Sequence, residues 1–204
     1  MSQSLEITSD LQRQDTYMRI LDAAERLFRH YGYAKTTVAD IAKDLGMSPA
    51  NIYRFFTSKV EIHQAICGRM LQQSIALAEE AASMPGSAEE RLRHYTLAHF
   101  KFTVDTMIDE HRVHEMVIVA IERDWSVIDQ YIDTLQDIIA RIIADGMASG
   151  EFPIGDAGAS ARAFGAATSA LHHPQLVAQC INKPNRATPE ELTDFAICAL
   201  KAPR

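Results

Sequence analysis

The chain has 204 residues, 47% hydrophobic and 23% charged, with a formal net charge of −7. That length buries one or two cores, the composition is that of an ordinary folded protein, and no apolar run approaches the roughly 18–20 residues of a membrane span. The opening stretch MSQSLEITSDLQRQD has neither the basic nor the apolar region of a secretory leader, and Cys67, Cys180 and Cys198 show no CxxC spacing, so a reducing cytoplasm is expected rather than a disulfide framework or a thiolate zinc site.

The pattern is helical nearly throughout, without strand-like alternation or internal repeat, and predicts an all-α fold. Residues 1–14 are polar and read as a mobile arm. Ile20, Leu21, Ala24, Leu27 and Phe28 recur at helical spacing over about Thr16 to Tyr31, and Gly32 stops that first helix. Val38, Ile41, Ala42 and Leu45 mark a second, short helix ending at Gly46. Ser48 caps a third, with Pro49 at its first position, where a missing N–H costs nothing. Ser58 caps a fourth that runs to about Ala82, before Met84-Pro85-Gly86 breaks the chain. Ser87-Ala88-Glu89-Glu90 is a capping box opening a helix to about Ile108. Further helices are expected from about Val113 to Asp124 and from Ser126 to Ala148, the latter stopped by Gly150 and Pro153. Asp156 opens the small-residue segment AGASARAFGAATSALHH, which Pro174 ends by biasing His173 away from the helical region. A short piece around Leu176 to Ile181 follows, and Thr188-Pro189-Glu190-Glu191, a second capping box, begins the last helix. These readings give a domain over 1–57 and a second over 58–204, joined through the fourth helix.

The two short helices flank Leu45-Gly46-Met47-Ser48, the spacing of a helix-turn-helix in which Gly supplies the turn. At roughly 100° per residue, Ile52, Phe55 and Phe56 of the third helix cluster on one side, with Pro49 at its margin. Ala50 and Arg54 lie almost opposite, flanked by Asn51 and Tyr53. The apolar side docks on the first two helices. The other carries a small residue that permits close approach, an amide suited to an adenine edge and a guanidinium suited to a guanine edge. Thr36 and Thr37 at the start of the second helix, the Tyr53 hydroxyl and the Lys59 ammonium are candidate phosphate contacts. Charge distribution allows this: residues 1–60 hold eight Lys/Arg against seven Asp/Glu, while residues 61–204 hold twelve against twenty. A near-neutral reading head on an acidic body still binds DNA, because phosphate contacts are local.

The string FRHYGYAKTTVADIAKDLGMSPANIYRFFTSK resembles the DNA-binding domain of the tetracycline-repressor (TetR) family of bacterial regulators. Phe28, Gly32, Thr36, Thr37, Ile41, Ala42, Gly46, Ser48, Tyr53, Phe56, Ser58 and Lys59 fill the family's spaced positions, and the likeness covers about residues 16–66. It implies DNA contacts from Thr37, Ser48, Ala50, Asn51, Tyr53, Arg54 and Lys59. Pro49 and Ala50 stand at the family's most variable positions and leave the operator sequence open. It also implies a C-terminal body that binds a small effector and forms a homodimer. The function expected is a transcriptional regulator, commonly a repressor released from an inverted-repeat double-stranded operator; the alternative is a regulator that responds to metal or to no effector.

The body is less distinctive. Gly165, Ala166 and Ala170, among other small residues, suit close helix–helix approach, and the last helix adds Leu192, Phe195 and Ala199, so a four-helix dimer interface is expected from two helices of each subunit. A two-fold dimer sets reading helices about 34–36 Å apart, matching half-sites one turn apart. Tyr95, Phe100, Met107, Met116, Trp125 and Phe164 are candidates for lining an apolar or aromatic effector pocket, since Met and aromatic side chains adapt to varied ligands. His111 and His114 stand at HxxH spacing, with His94, His99, His172 and His173 elsewhere in the body; the expectation is no metal and no cofactor. Without a Gly-rich phosphate loop, a nucleophile elbow or HExxH, no enzymatic activity is expected.

Overall fold

A computed structural model describes the backbone of residues 2–108 and 125–202, and the side chains of residues 10–106 and 128–202. The described residues form α1 (Ser2–Tyr31), α2 (Val38–Asp44), α3 (Pro49–Tyr53), α4 (Lys59–Ser83), α5 (Ala88–Thr103) with a π-helical turn Val104–Ile108 continuing it, α6 (Trp125–Ser149), α7 (Ala157–His172), α8 (Pro174–Cys180) and α9 (Pro189–Lys201). Among them there is no strand, and no helix is long and apolar enough to cross a membrane. The helix expected from Val113 to Asp124 lies outside the described residues.

Most helix starts follow from local chemistry. Thr37, Ser87 and Thr188 close reciprocal capping boxes with Asp40, Glu90 and Glu191, and Ser48, Ser58 and Asp156 cap through the side chain alone. Each satisfies backbone N–H groups that otherwise lack partners. The α2–α3 turn is set by Gly46 at φ 64°, where the Met47 N–H reaches the Ala42 carbonyl at 2.8 Å and the Gly46 N–H the Lys43 carbonyl at 3.2 Å. That paired closure needs a left-handed residue, which glycine adopts without steric cost.

The polar arm expected over residues 1–14 is instead helix, continuous with α1 from Ser2. No Pro or Gly interrupts that stretch, so nothing stops the helix; Asp10 to Asp15 are exposed, so it carries no apolar stripe to betray it.

Two cores are linked by one helix. The first gathers Ile20, Ala24, Phe28, Ile41, Ile52 and Phe56 with Ile62, Ile66 and Met70 of α4; the second gathers Ala78 and Ala81 of α4 with Leu92, Tyr95, Ile138, Ile142, Phe164 and Ile197. Ile66 and Met70, expected in the body, therefore belong to the core beneath the reading head. Around the second core α5 packs on α4, α6, α7 and α9. Its N-terminus receives a tertiary cap, the Glu151 carboxylate accepting from the N–H groups of Ala88 at 3.1 Å and Glu89 at 3.2 Å.

The approach of α6 to α5 requires Gly146. A Cβ there would lie 2.4 Å from the Phe152 ring and 2.7 Å from the Ala88 methyl. Gly146→Ala is therefore expected to destabilise by about 1–3 kcal/mol, the cost of overpacking a tight contact. At about 2–4 °C per kcal/mol the melting temperature falls by several degrees. An unchanged melting curve would show that the α5–α6 spacing relaxes freely.

Candidate functional site

The short helix α3 is held by its apolar side. Ile52 is fully buried and Phe56 nearly so, stacked on Tyr17 with ring centroids 4.8 Å apart. The opposite side is left bare: Pro49, Ala50, Tyr53 and Arg54 are exposed, Ser48 is exposed at the cap, and Asn51 is half-buried. Ser48 Oγ accepts the Asn51 N–H at 3.3 Å, so Ser48 both starts the helix and shares its surface. Arg26 pairs with Asp44 at 2.5 Å, Arg29 pairs with Glu25, and Arg69 pairs with Asp22 and Glu25. Arg54 has no such partner among the described residues. An exposed small residue, phenol and unpaired guanidinium, with a half-buried amide beside them, have the chemistry to read base edges.

The flanking residues divide. Thr37 is exposed, its hydroxyl donating to the Asp40 carboxylate at 2.6 Å while accepting the Asp40 N–H at 3.2 Å. Those bonds from Thr37, side chain first, hold the Asp40 carboxyl below the usual carboxylate range. Thr36 does not belong to the surface. It is 2% exposed, and its hydroxyl donates inward to the Gly32 carbonyl at 3.0 Å. The anion contact expected of its side chain is therefore withdrawn.

Lys59 is also different from expectation. Its ammonium donates to the carbonyls of Tyr33 at 2.9 Å and Thr36 at 3.0 Å and lies 4.3 Å from the centroid of the Tyr33 ring. Two of its three donors tie the start of α4 to the α1–α2 loop, so at most one remains for a phosphate. Partial burial lowers its pKa.

In the body, Tyr95 and Phe164 are 1% and 2% exposed members of the second core, so they hold helices together rather than line an open pocket. Phe100 is half-buried. Met116 lies outside the described residues, as do His111 and His114 and the side chains of Met107 and Trp125. Among the described residues no three His, Cys, Asp or Glu side chains gather to hold a metal.

A buried polar network was not legible beforehand. Ser74 Oγ and the Tyr131 hydroxyl are 2.6 Å apart, and His99 Nε2 lies 2.8 Å from the Ser74 carbonyl. His99 stacks obliquely on Tyr95 at 4.6 Å and meets the His172 ring at 5.4 Å. His172 is half-buried as a residue, but its Nε2 is fully enclosed and unpartnered. Burial, then the neighbouring His99, push the His172 imidazole down to about 3 against a backbone bond to Thr96 that favours the charged form. The one sequence signal was Ser74, a hydroxyl on the otherwise apolar ridge Ile62, Ile66, Met70, Ala78.

On α7, Ala161, Phe164, Thr168 and Leu171 point inward, while Ala166 and Ala167 are exposed and Gly165 and Ala170 half-buried. On α9, which packs on α7, Ala196 and Ile197 are buried, Leu192 is half-buried, Ala199 is exposed, and Phe195 is 70% exposed.

Comparison with known proteins agrees with this geometry. Residues 20–66 match the family described as bacterial regulatory proteins, tetR family, and residues 88–193 match the tetracyclin repressor-like C-terminal domain. The fatty acid metabolism regulator protein of Bacillus subtilis (strain 168) is 26% identical over 148 residues, 71% of this chain and 74% of that protein. The HTH-type transcriptional regulator TtgR of Pseudomonas putida is 39% identical over 70 residues, 34% of this chain and 33% of that one. Among solved structures, a TetR/AcrR-family regulator from Thermobifida fusca has a TM-score of 0.68 at 21% identity, covering 91% of this chain and 96% of that one. FadR from Bacillus subtilis, in complex with stearoyl-CoA, has a TM-score of 0.62 at 21% identity, covering 91% and 98%. At these identities the likeness of the structures is one of fold.

Two outcomes are expected from the side chains described above. Lys59→Met keeps the stem over Tyr33 but removes both carbonyl bonds, and should cost about 1–2 kcal/mol in thermal or urea unfolding; unaltered stability would mean that the ammonium is not a clamp. Acid should loosen the body. The unfolded chain protonates His172 near the ordinary 6.5, the folded one only near 3, so its contribution is complete above 6.5 and is lost as pH falls below it. The melting temperature of the native protein should therefore fall more between pH 7 and 5 than that of His172→Phe, and parallel curves would exclude this origin.

Proposed function

Since the chain belongs to the tetR family of bacterial regulatory proteins, we propose that this DNA-binding transcriptional regulator is a cytoplasmic homodimeric repressor, released from an inverted-repeat operator when a small, mainly apolar or aromatic effector binds its body. The observation that carries the reading is the bare face of α3. Ala50, Tyr53 and Arg54 are exposed, and Arg54 is left without an ion pair where Arg26, Arg29 and Arg69 are all consumed. In this reading Ala50 lets the helix enter the major groove, Asn51 and Arg54 meet base edges, and Ser48, Pro49, Thr37 and Tyr53 lie along the phosphates. Lys59 acts chiefly by fixing the start of α4.

The dimer is supported by the outward faces of α7 and α9. Ala166, Ala167 and Gly165 allow two helices to approach closely, and the exposed Phe195 ring on the neighbouring α9 offers an apolar contact beside them. The effector is supported by family membership and by the Bacillus subtilis relative, whose name places it in fatty acid metabolism. Control then follows as a population shift: an effector that binds one spacing of the two heads better than the other moves DNA affinity by its differential binding energy, typically about 1–3 kcal/mol. In this reading a head over 1–57 and a body over 58–204 are joined through α4, whose first turns complete the core of the head.

Selection from a random duplex library, followed by gel shifts against an apolar and aromatic effector panel, tests the whole reading; no preference for any duplex would overturn it. Arg54→Ala should cost about 1–3 kcal/mol on the selected duplex and blur one base position, whereas survival of both affinity and preference would remove Arg54 from the reading set. Phe195→Arg should yield a monomer by sedimentation with a sharp loss of DNA affinity, and a dimer of undiminished mass would place the interface elsewhere.

A further inference from the structure

The loop between α1 and α2 is tied down on both sides of Lys35. The Thr36 N–H reaches the Gly32 carbonyl at 3.2 Å, and the Thr36 hydroxyl donates to the same oxygen at 3.0 Å. From the first turn of α4, the Lys59 ammonium donates to the carbonyls of Tyr33 at 2.9 Å and Thr36 at 3.0 Å, which bracket Lys35 in the chain. The same ammonium lies 4.3 Å from the centroid of the Tyr33 ring, well within cation–π reach. That ring is itself fixed, tilted on His63 with centroids 4.6 Å apart and edge-on to Phe28 at 5.2 Å. Phe28 is fully buried and His63 nearly so, which anchors the loop on the core of the head.

Lys35 stands at the tip of this anchored loop. It is exposed, and among the described residues its ammonium has no ion pair or hydrogen bond. Thr37, the other exposed polar side chain of the segment, lies two residues on, with Thr36 turned inward between them. The other cations of the head are placed differently. Arg26, Arg29 and Arg69 are consumed in ion pairs, and Lys43 stands in the last turn of α2, where the helix end already favours a positive charge. A charge carried on a backbone held in place beforehand loses less freedom on making a contact than one on a loose loop.

We propose that Lys35 makes the phosphate contact beside α2, and that Lys59 and Tyr33 are positioning residues that present it. This rests on the DNA-binding reading above and moves to Lys35 the role that position alone suggests for Lys59. Lys59 then supports DNA binding without touching DNA: its charge is spent on two carbonyls and a ring, and its effect reaches the duplex through the loop it holds.

The test is the salt dependence of binding, measured with the full-length protein on a duplex selected from the random library and on one of random sequence. A lost phosphate contact lowers the slope of log affinity against log salt by about 0.9. Lys35→Met should show that fall on both duplexes, with binding about tenfold weaker at about 0.1 M salt and with melting temperature and base preference unchanged. Lys59→Met should weaken both duplexes at the native slope, and Tyr33→Leu should do the same. Tyr33→Phe, which keeps the ring against the ammonium, should recover most of what Tyr33→Leu loses. A native slope in Lys35→Met, a slope in Lys59→Met that falls by about 0.9, or native affinity in Lys59→Met would each overturn the proposal. Lys35→Met changes only an exposed side chain, so its slope decides the phosphate contact even where the Lys59 and Tyr33 variants fail to fold. The two duplexes separate this proposal from the operator reading. If the library yields no preferred duplex but Lys35→Met lowers the slope on random sequence, the phosphate contact stands and the operator reading fails. If a selected duplex is preferred and Lys35→Met keeps the native slope, the operator reading stands and this proposal fails.

Discussion

One ridge of α4 is the constraint on which the molecule depends. Ile62, Ile66 and Met70 close the core under the reading head, Ser74 enters the polar network of the body, and Ala78 and Ala81 complete the second core. These residues follow at intervals of three or four, so they lie along a single stripe of one uninterrupted helix. A packed interior of this density does not deform smoothly. A displacement of α4 in the body therefore reaches the head as a change of position, and the Lys59 bonds to the loop after α1 hold that end in register.

Charge serves architecture as much as recognition. Arg69 joins α4 to α1 through Asp22 and Glu25, Arg91 joins α5 to α6 through Asp145 at 2.9 Å, and Arg141 joins α6 to α4 through Glu79 at 2.6 Å. Exposed pairs of this sort contribute little each, about 0–1 kcal/mol. Their more definite consequence is negative: cations already engaged are not available to phosphate. With the Lys59 ammonium largely committed too, α2, α3 and the loops beside them keep only Lys35, Lys43 and Arg54 as exposed cations. Phosphate contacts carry the salt dependence of DNA binding, and few exposed cations beside α2 and α3 leave few such contacts to be made there.

The sequence made the head legible because its signals are local. Caps at Ser48 and Ser58, the glycine of the turn and the apolar period of α1 to α3 each act within a few residues, and the exposed face of α3 followed from helical spacing alone. What could not be read was which way a flanking residue turns. Thr36 and Thr37 are adjacent and chemically identical, yet one hydroxyl is buried against the Gly32 carbonyl and the other is exposed; only the packed loop decides. The body was less legible for the same reason. Aromatic residues at helical spacing serve equally as core or as pocket lining, and Tyr95 and Phe164 proved to be core. The network of Ser74, His99, Tyr131 and His172 spans residues up to 98 positions apart and no short-range pattern announces it.

That network also stands where the two cores come nearest along the chain. On α5, little more than one turn carries His99 to the polar network, Phe102 to the head core, and Thr103 to the His172 carbonyl at 3.4 Å. The end of α5 is thus the second strap between head and body, beside α4. It passes directly into a π-helical turn, where i→i+5 bonding replaces the tighter α-helical ladder. One helix shared by both cores, and beside it the end of α5 with Phe102 and Thr103, form a two-strap arrangement. Head and body are thus packed to one another at two places, so neither helix end can shift without disturbing residues of both cores.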